Sequence, residues 1–141
     1  MTVNELYNLA ESESVTVSSF SLRKREALST MDSDGQCYVA IDPDKLISSA
    51  DEKTKLAHEL GHCITGSFYN VYSPYDSRQR YENRADKWAI KKLIPEDELE
   101  RAVAAGYTEL WELADFFQVT EDFMRKAISW YKFGNLYSYQ T

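Results

Sequence analysis

The chain is poor in cysteine, in histidine, in net positive charge and in long apolar runs, and each shortage removes a class of protein. Its two cysteines, Cys37 and Cys63, are isolated residues. They do not form the spaced pairs of a disulfide scaffold, and 141 residues can bury a core without one. They are expected to be thiols in a reducing compartment, with Cys63 filling core beside Leu56 and Leu60. A net charge of −7 argues against nucleic acid as the main partner, because phosphate binding needs clustered Lys and Arg. A protein or peptide partner is expected instead. No apolar run is long enough to span a bilayer, and Met1 to Ala10 has neither a basic n-region nor an apolar h-region, so the cytoplasm is the expected location. Without repeats, low-complexity tracts or linkers, the chain reads as one domain, 1–141. It divides into an N-terminal helix and small sheet (1–50), a central pair of helices (51–95) and C-terminal helices (96–141).

What is present suits a packed globule: 43% hydrophobic and 13% aromatic residues, ten of them tyrosine. Val3 to Ala10 is a short helix candidate. Val15-Thr16-Val17 and Cys37 to Ile41 alternate like strands, and Asp34-Gly35 suits a hairpin turn joining the latter to Arg25–Ser29, giving a small, antiparallel sheet. A helix then starts at a capping box, Ser49 with Glu52, and ends at Gly66, with Leu56, Leu60, Cys63 and Ile64 as its apolar stripe. A loop with Tyr69, Tyr72 and Tyr75 leads to a second helix, Ser77 to Leu93, stopped by Pro95. Three shorter helices follow, the last two capped by Thr108 and Thr120.

Both histidines lie in His58-Glu59-Leu60-Gly61-His62. On a helix, positions i and i+4 share a face, so the two imidazoles can converge on one cation while Glu59 projects beside it as a base. Two histidines cannot hold a catalytic zinc alone. Such sites take three protein ligands and a water, and with no third histidine the third ligand is expected to be a carboxylate. Glu82 and Asp86, at i and i+4 on the second helix, both qualify. The extra methylene of Glu82 favours it for reaching across to the first helix, and the shorter Asp86 suits a histidine N–H at close range.

Leu56-Ala57-His58-Glu59-Leu60-Gly61-His62, then Glu82-Asn83-Arg84-Ala85-Asp86-Lys87-Trp88-Ala89 and Leu93-Ile94-Pro95, resemble the ImmA/IrrE metallopeptidases. The likeness is close over the central third and follows the order of elements over most of the chain. It implies a zincin-like α+β fold: a small N-terminal antiparallel or mixed sheet packed on the His-Glu-x-x-His helix, then a mainly helical C-terminal half. It implies one Zn2+, or another divalent transition metal, held by His58, His62 and Glu82, with Glu59 as base and Asp86 bracing His58. Many relatives carry asparagine where Asp86 stands, and either side chain accepts a histidine N–H. Members cut helix-turn-helix repressors, and a chain of this length is similar to the short prophage or mobile-element type.

The expected function is therefore a zinc endopeptidase acting on a transcriptional repressor, with no direct nucleic-acid or membrane partner. The alternatives are an inactive metal-binding module that works as an anti-repressor by binding, and a DNA-binding protein using Leu110–Phe117 and Glu121–Tyr131 as a helix-turn-helix. Glu59, with no structural need to be ionisable beside two histidines, favours catalysis. The near-balanced Glu121, Asp122, Arg125 and Lys126 disfavour groove reading. Tyr72 and Tyr75 are candidate oxyanion donors, with Tyr69 and Tyr81 also near in sequence. Cys37 to Ile41 is the leading candidate for an edge strand that pairs with an extended substrate.

Overall fold

The structure is a computed structural model, and it describes residues 1–70 and 72–139. Helix α1 (Val3–Ser12) starts at Thr2, whose hydroxyl accepts the Glu5 N–H, and it buries Leu6 and Ala10. Three strands follow, β1 (Thr16–Ser19), β2 (Ala27–Met31) and β3 (Cys37–Ile41), in the spatial order β1-β3-β2. The β2–β3 hairpin is antiparallel and turns at Gly35, whose φ of 85° suits a residue without Cβ. β1 runs parallel to β3, so the sheet is mixed, not wholly antiparallel.

This order corrects one expectation. β3 is paired on both sides and cannot accept a substrate strand; its alternating Cys37, Val39 and Ile41 are buried, as befits the central position. The free lateral edge next to α2 belongs to β2.

Helix α2 (Ser49–Thr65) packs across this sheet. Its N-cap is Ser48, one residue before the expected box, with the hydroxyl accepting the Asp51 N–H at 3.0 Å; Gly66 closes it in the left-handed region. Leu56, Leu60 and Cys63 are buried as the stripe requires, while Ile64 lies at the exposed rim. α3 (Tyr75–Leu93) begins two residues earlier than its sequence signals, and α4 (Glu96–Ala104), α5 (Leu110–Phe117) and α6 (Glu121–Phe133) complete the chain. α5 starts from Glu109 and not Thr108, with the Glu112 carboxylate accepting the Glu109 N–H.

Two links knit these parts together. Lys53 of α2 is buried and donates to the carbonyl of Phe117, the last residue of α5, at 2.7 Å. The second corrects the expected thiols: Cys37 of β3 and Cys63 of α2 form a disulfide, with Cα atoms 5.9 Å apart. They are 26 residues apart, on a strand and a helix, so no local spacing signals the pair. The bond also removes the cysteine argument for a reducing compartment. No described helix is long and apolar enough to cross a membrane.

α2 and α3 approach most closely at Gly61, where a Cβ would stand 2.5 Å from the Ala85 carbonyl oxygen. Gly61→Ala should therefore destabilise the protein by about 2–3 kcal/mol through overpacking, although alanine gains about 1 kcal/mol in helix propensity. Urea unfolding tests this, and a variant as stable as the parent would mean the helices do not meet there. Replacing both cysteines by serine should cost roughly 3–4 kcal/mol, the chain-entropy value for a loop of that length. A urea midpoint indifferent both to this change and to dithiothreitol would show that the bond does not form.

Candidate metal centre

The α2–α3 contact brings the candidate residues of both helices together. His58 and His62, one turn apart, direct Nε2 atoms to within 3.2 Å of each other, with ring planes near perpendicular at 86°. Glu82 of α3 places Oε2 2.7 Å from His58 Nε2 and Oε1 3.2 Å from His62 Nε2. One atom from each of these three residues lies within 4.8 Å of the others.

The outer nitrogens are held as well. His58 Nδ1 donates to Asp86 Oδ1 at 2.7 Å, and His62 Nδ1 donates to the Ser67 carbonyl at 2.5 Å. With each Nδ1 committed as a donor, both Nε2 atoms face one another and a Glu82 oxygen, and a cation bound there would take the place of the proton that His58 Nε2 otherwise donates to Glu82. That is a set of Lewis bases suited to a cation.

The electrostatics agree. Burial alone would lower the His58 pKa, but hydrogen bonds and charge from Asp86 and Glu82 overcome it and push the pKa up to about 10. Burial likewise works to raise Glu82 and Asp86, yet both are held below the usual carboxylate range, Glu82 by His58, His62 and Tyr69, and Asp86 by His58 and Lys126. The pocket thus stabilises positive charge at its centre. Two imidazoles and a carboxylate are a donor set that would suit a divalent metal ion.

Glu59 is only 5% exposed and accepts a hydrogen bond from Ser29 Oγ of β2 at 3.2 Å. It lines both a cleft of about 660 Å³ and a smaller cavity of about 50 Å³ over the ligand cluster. A buried carboxylate with one modest partner, beside two imidazoles, is equipped to take a proton.

The tyrosines fall differently from expectation. Tyr72 and Tyr75 are 90% and 76% exposed, and neither lines the cleft or the small cavity. Tyr69 is the one at the centre, donating to Glu82 Oε1 at 2.7 Å while its ring stacks on Tyr81. Two other contributors escaped the sequence reading. Ser67 acts through its backbone carbonyl, for which residue type carries no signal, and Lys126 reaches Asp86 Oδ2 at 3.1 Å from α6, forty residues away.

The IrrE N-terminal-like domain, Peptidase_M78, matches this chain over residues 15–129. The chain belongs to that family. Among curated proteins none matches it significantly. An IrrE-like domain is a metallopeptidase-type unit, and both the mixed sheet with its helical remainder and the His58, His62 and Glu82 group accord with that membership.

In this IrrE-like domain Asp86 is an aspartate, and Lys126 supplies the charge its second oxygen needs. Lys126→Met should destabilise the fold by about 1–2 kcal/mol, an ion pair discounted for the partial exposure of the ammonium. The same change made with Asp86→Asn should cost clearly less. Additive losses in that double-mutant cycle would show that the two side chains are not coupled.

Proposed function

We propose that this protein is a zinc-dependent endopeptidase that cuts a helix-turn-helix repressor of a prophage or mobile element and so relieves repression. The observation that carries the reading is the convergence of His58 Nε2, His62 Nε2 and a Glu82 oxygen, with Glu59 buried alongside. His58, His62 and Glu82 would hold the ion, and Asp86 and Ser67 would fix the orientation of the imidazoles. Zinc bound there supplies an acidified water and a polarised scissile carbonyl. Glu59 takes the proton as the water oxygen attacks the carbonyl carbon, then delivers it to the leaving nitrogen as the C–N bond breaks. Other divalent transition metals could use the same donors.

The sheet supports a binding mode. A peptide laid along the free edge of β2 would be paired as a fourth strand, and its backbone would pass the Ser29–Glu59 contact and enter the cleft, which Ala27 also lines. Direct DNA reading has less support, since in the first half of α6 Arg125 pairs with Asp122 and Lys126 with Asp86, leaving those two cations engaged. Action on a repressor would place the protein in the cytoplasm, where the Cys37–Cys63 bond would have to persist against reduction.

Glu59→Gln separates an enzyme from a binding module. It should abolish cleavage of a susceptible repressor while zinc content stays close to that of the parent, because the amide cannot accept the proton. Normal cleavage by this variant would remove Glu59 from the mechanism. For the ligands, Glu82→Ala should lose most of the bound zinc, whereas Asp86→Ala should weaken binding by roughly 10- to 100-fold. Metal analysis giving the reverse order would make Asp86 the third ligand.

A further inference from the structure

Peptide hydrolysis builds negative charge on the former carbonyl oxygen, and a peptidase gains most from a fixed donor aimed at that charge. Tyr72 and Tyr75 stand away from the cluster. Tyr69 is at hand, but its proton is committed to Glu82.

Among the described residues, three line both the cleft and the small cavity: Glu59, Glu82 and Arg25. Arg25 is also the only permanent cation among the described residues of the small cavity. Arg25 and Tyr69 line that small cavity together. With five N–H donors in a planar fork, Arg25 can offer several of them to the cleft.

The backbone that presents Arg25 is fixed. Lys45 Nζ donates to the carbonyls of Leu22, Arg23 and Arg25, the last two at 3.1 Å each. Asp42 accepts the Leu22 N–H through its side chain and donates its own N–H to the Glu26 carbonyl, both at 2.9 Å. The segment is therefore tied down on either side of Arg25, immediately before the free strand β2. Arg25 is itself exposed, and the pinned backbone sets the point from which its side chain reaches the cavity.

We infer that Arg25 is the oxyanion-stabilising residue of this peptidase. The inference rests on the metallopeptidase reading above. As the water oxygen bonds to the carbonyl carbon and its proton passes to Glu59, the π electrons of the carbonyl move onto its oxygen. Arg25 donates N–H to that oxygen, and releases it when the carbonyl re-forms and the amine leaves with the proton from Glu59. Tyr69 is a positioning residue in this scheme, holding Glu82.

Inorganic phosphate, a tetrahedral oxyanion, is the probe. Protein loaded with Co2+ is titrated with phosphate and followed by its visible absorption, and zinc affinity is measured separately with a chelating dye. Arg25→Ala should bind phosphate at least tenfold more weakly than the parent, Arg25→Lys should recover part of the loss, and zinc affinity should not fall in either. On a fluorogenic peptide selected from a random library for cleavage by the parent, Arg25→Ala should lower kcat about 10²- to 10³-fold with KM little changed. Equal phosphate affinity in parent and Arg25→Ala, with zinc retained, would overturn the role of Arg25 and leave the metal centre standing. A loss confined to KM would overturn it too, making Arg25 a substrate-binding group. A parent that binds no zinc would overturn the underlying reading, and this inference with it.

Discussion

The contact of Gly61 with Ala85 is the constraint on which the site depends. Any side chain at Gly61 would push against backbone, so α2 and α3 can lie this close only because the residue just before His62 has none. Closeness is what lets a glutamate on one helix span to two imidazoles on the other, at 2.7 and 3.2 Å. The glycine in the middle of the histidine motif thus has a geometric task of its own, and it tolerates the propensity cost of sitting inside a helix.

Around that contact the charges are arranged in sequence from α6 to the centre. Lys126 neutralises one oxygen of Asp86, the other holds His58, and His58 turns its remaining nitrogen inward. On the second histidine a backbone carbonyl does the same work, so one imidazole is braced by an ion pair and the other by the chain itself. The two imidazoles of one helix are consequently not equivalent. His58 is sensitive to what happens in the C-terminal helices, and His62 to the loop that follows Gly66.

How much of this the sequence disclosed follows from the range of the interactions. The helix of His58, Glu59 and His62, the common face of Glu82 and Asp86, and the caps at Gly66, Pro95 and Thr120 all rest on contacts a few residues apart, and pattern reveals those. Strand order does not. Cys37–Ile41 alternates as an edge strand would, and only the pairing of β1 with its far side puts it in the centre. The disulfide, Lys126 and the split among the tyrosines are likewise set by tertiary packing. Tyr69, Tyr72 and Tyr75 have the same residue type and nearly the same sequence distance from the motif, yet Tyr69 alone turns inward onto Glu82. Ser48 and Glu109, each one residue from the expected cap, show the usual uncertainty of helix ends.

Lys53 has one more bearing on the molecule. Its ammonium is buried on the motif helix, burial lowers its pKa, and the Phe117 carbonyl accepts its proton. A fragment trimmed to the two motif helices and the sheet would therefore carry an unsatisfied cation in the helix that holds both histidines. Whoever wishes to transplant this side-chain cluster into another scaffold must bring α5 along or replace Lys53, since the five-residue motif is portable only as text.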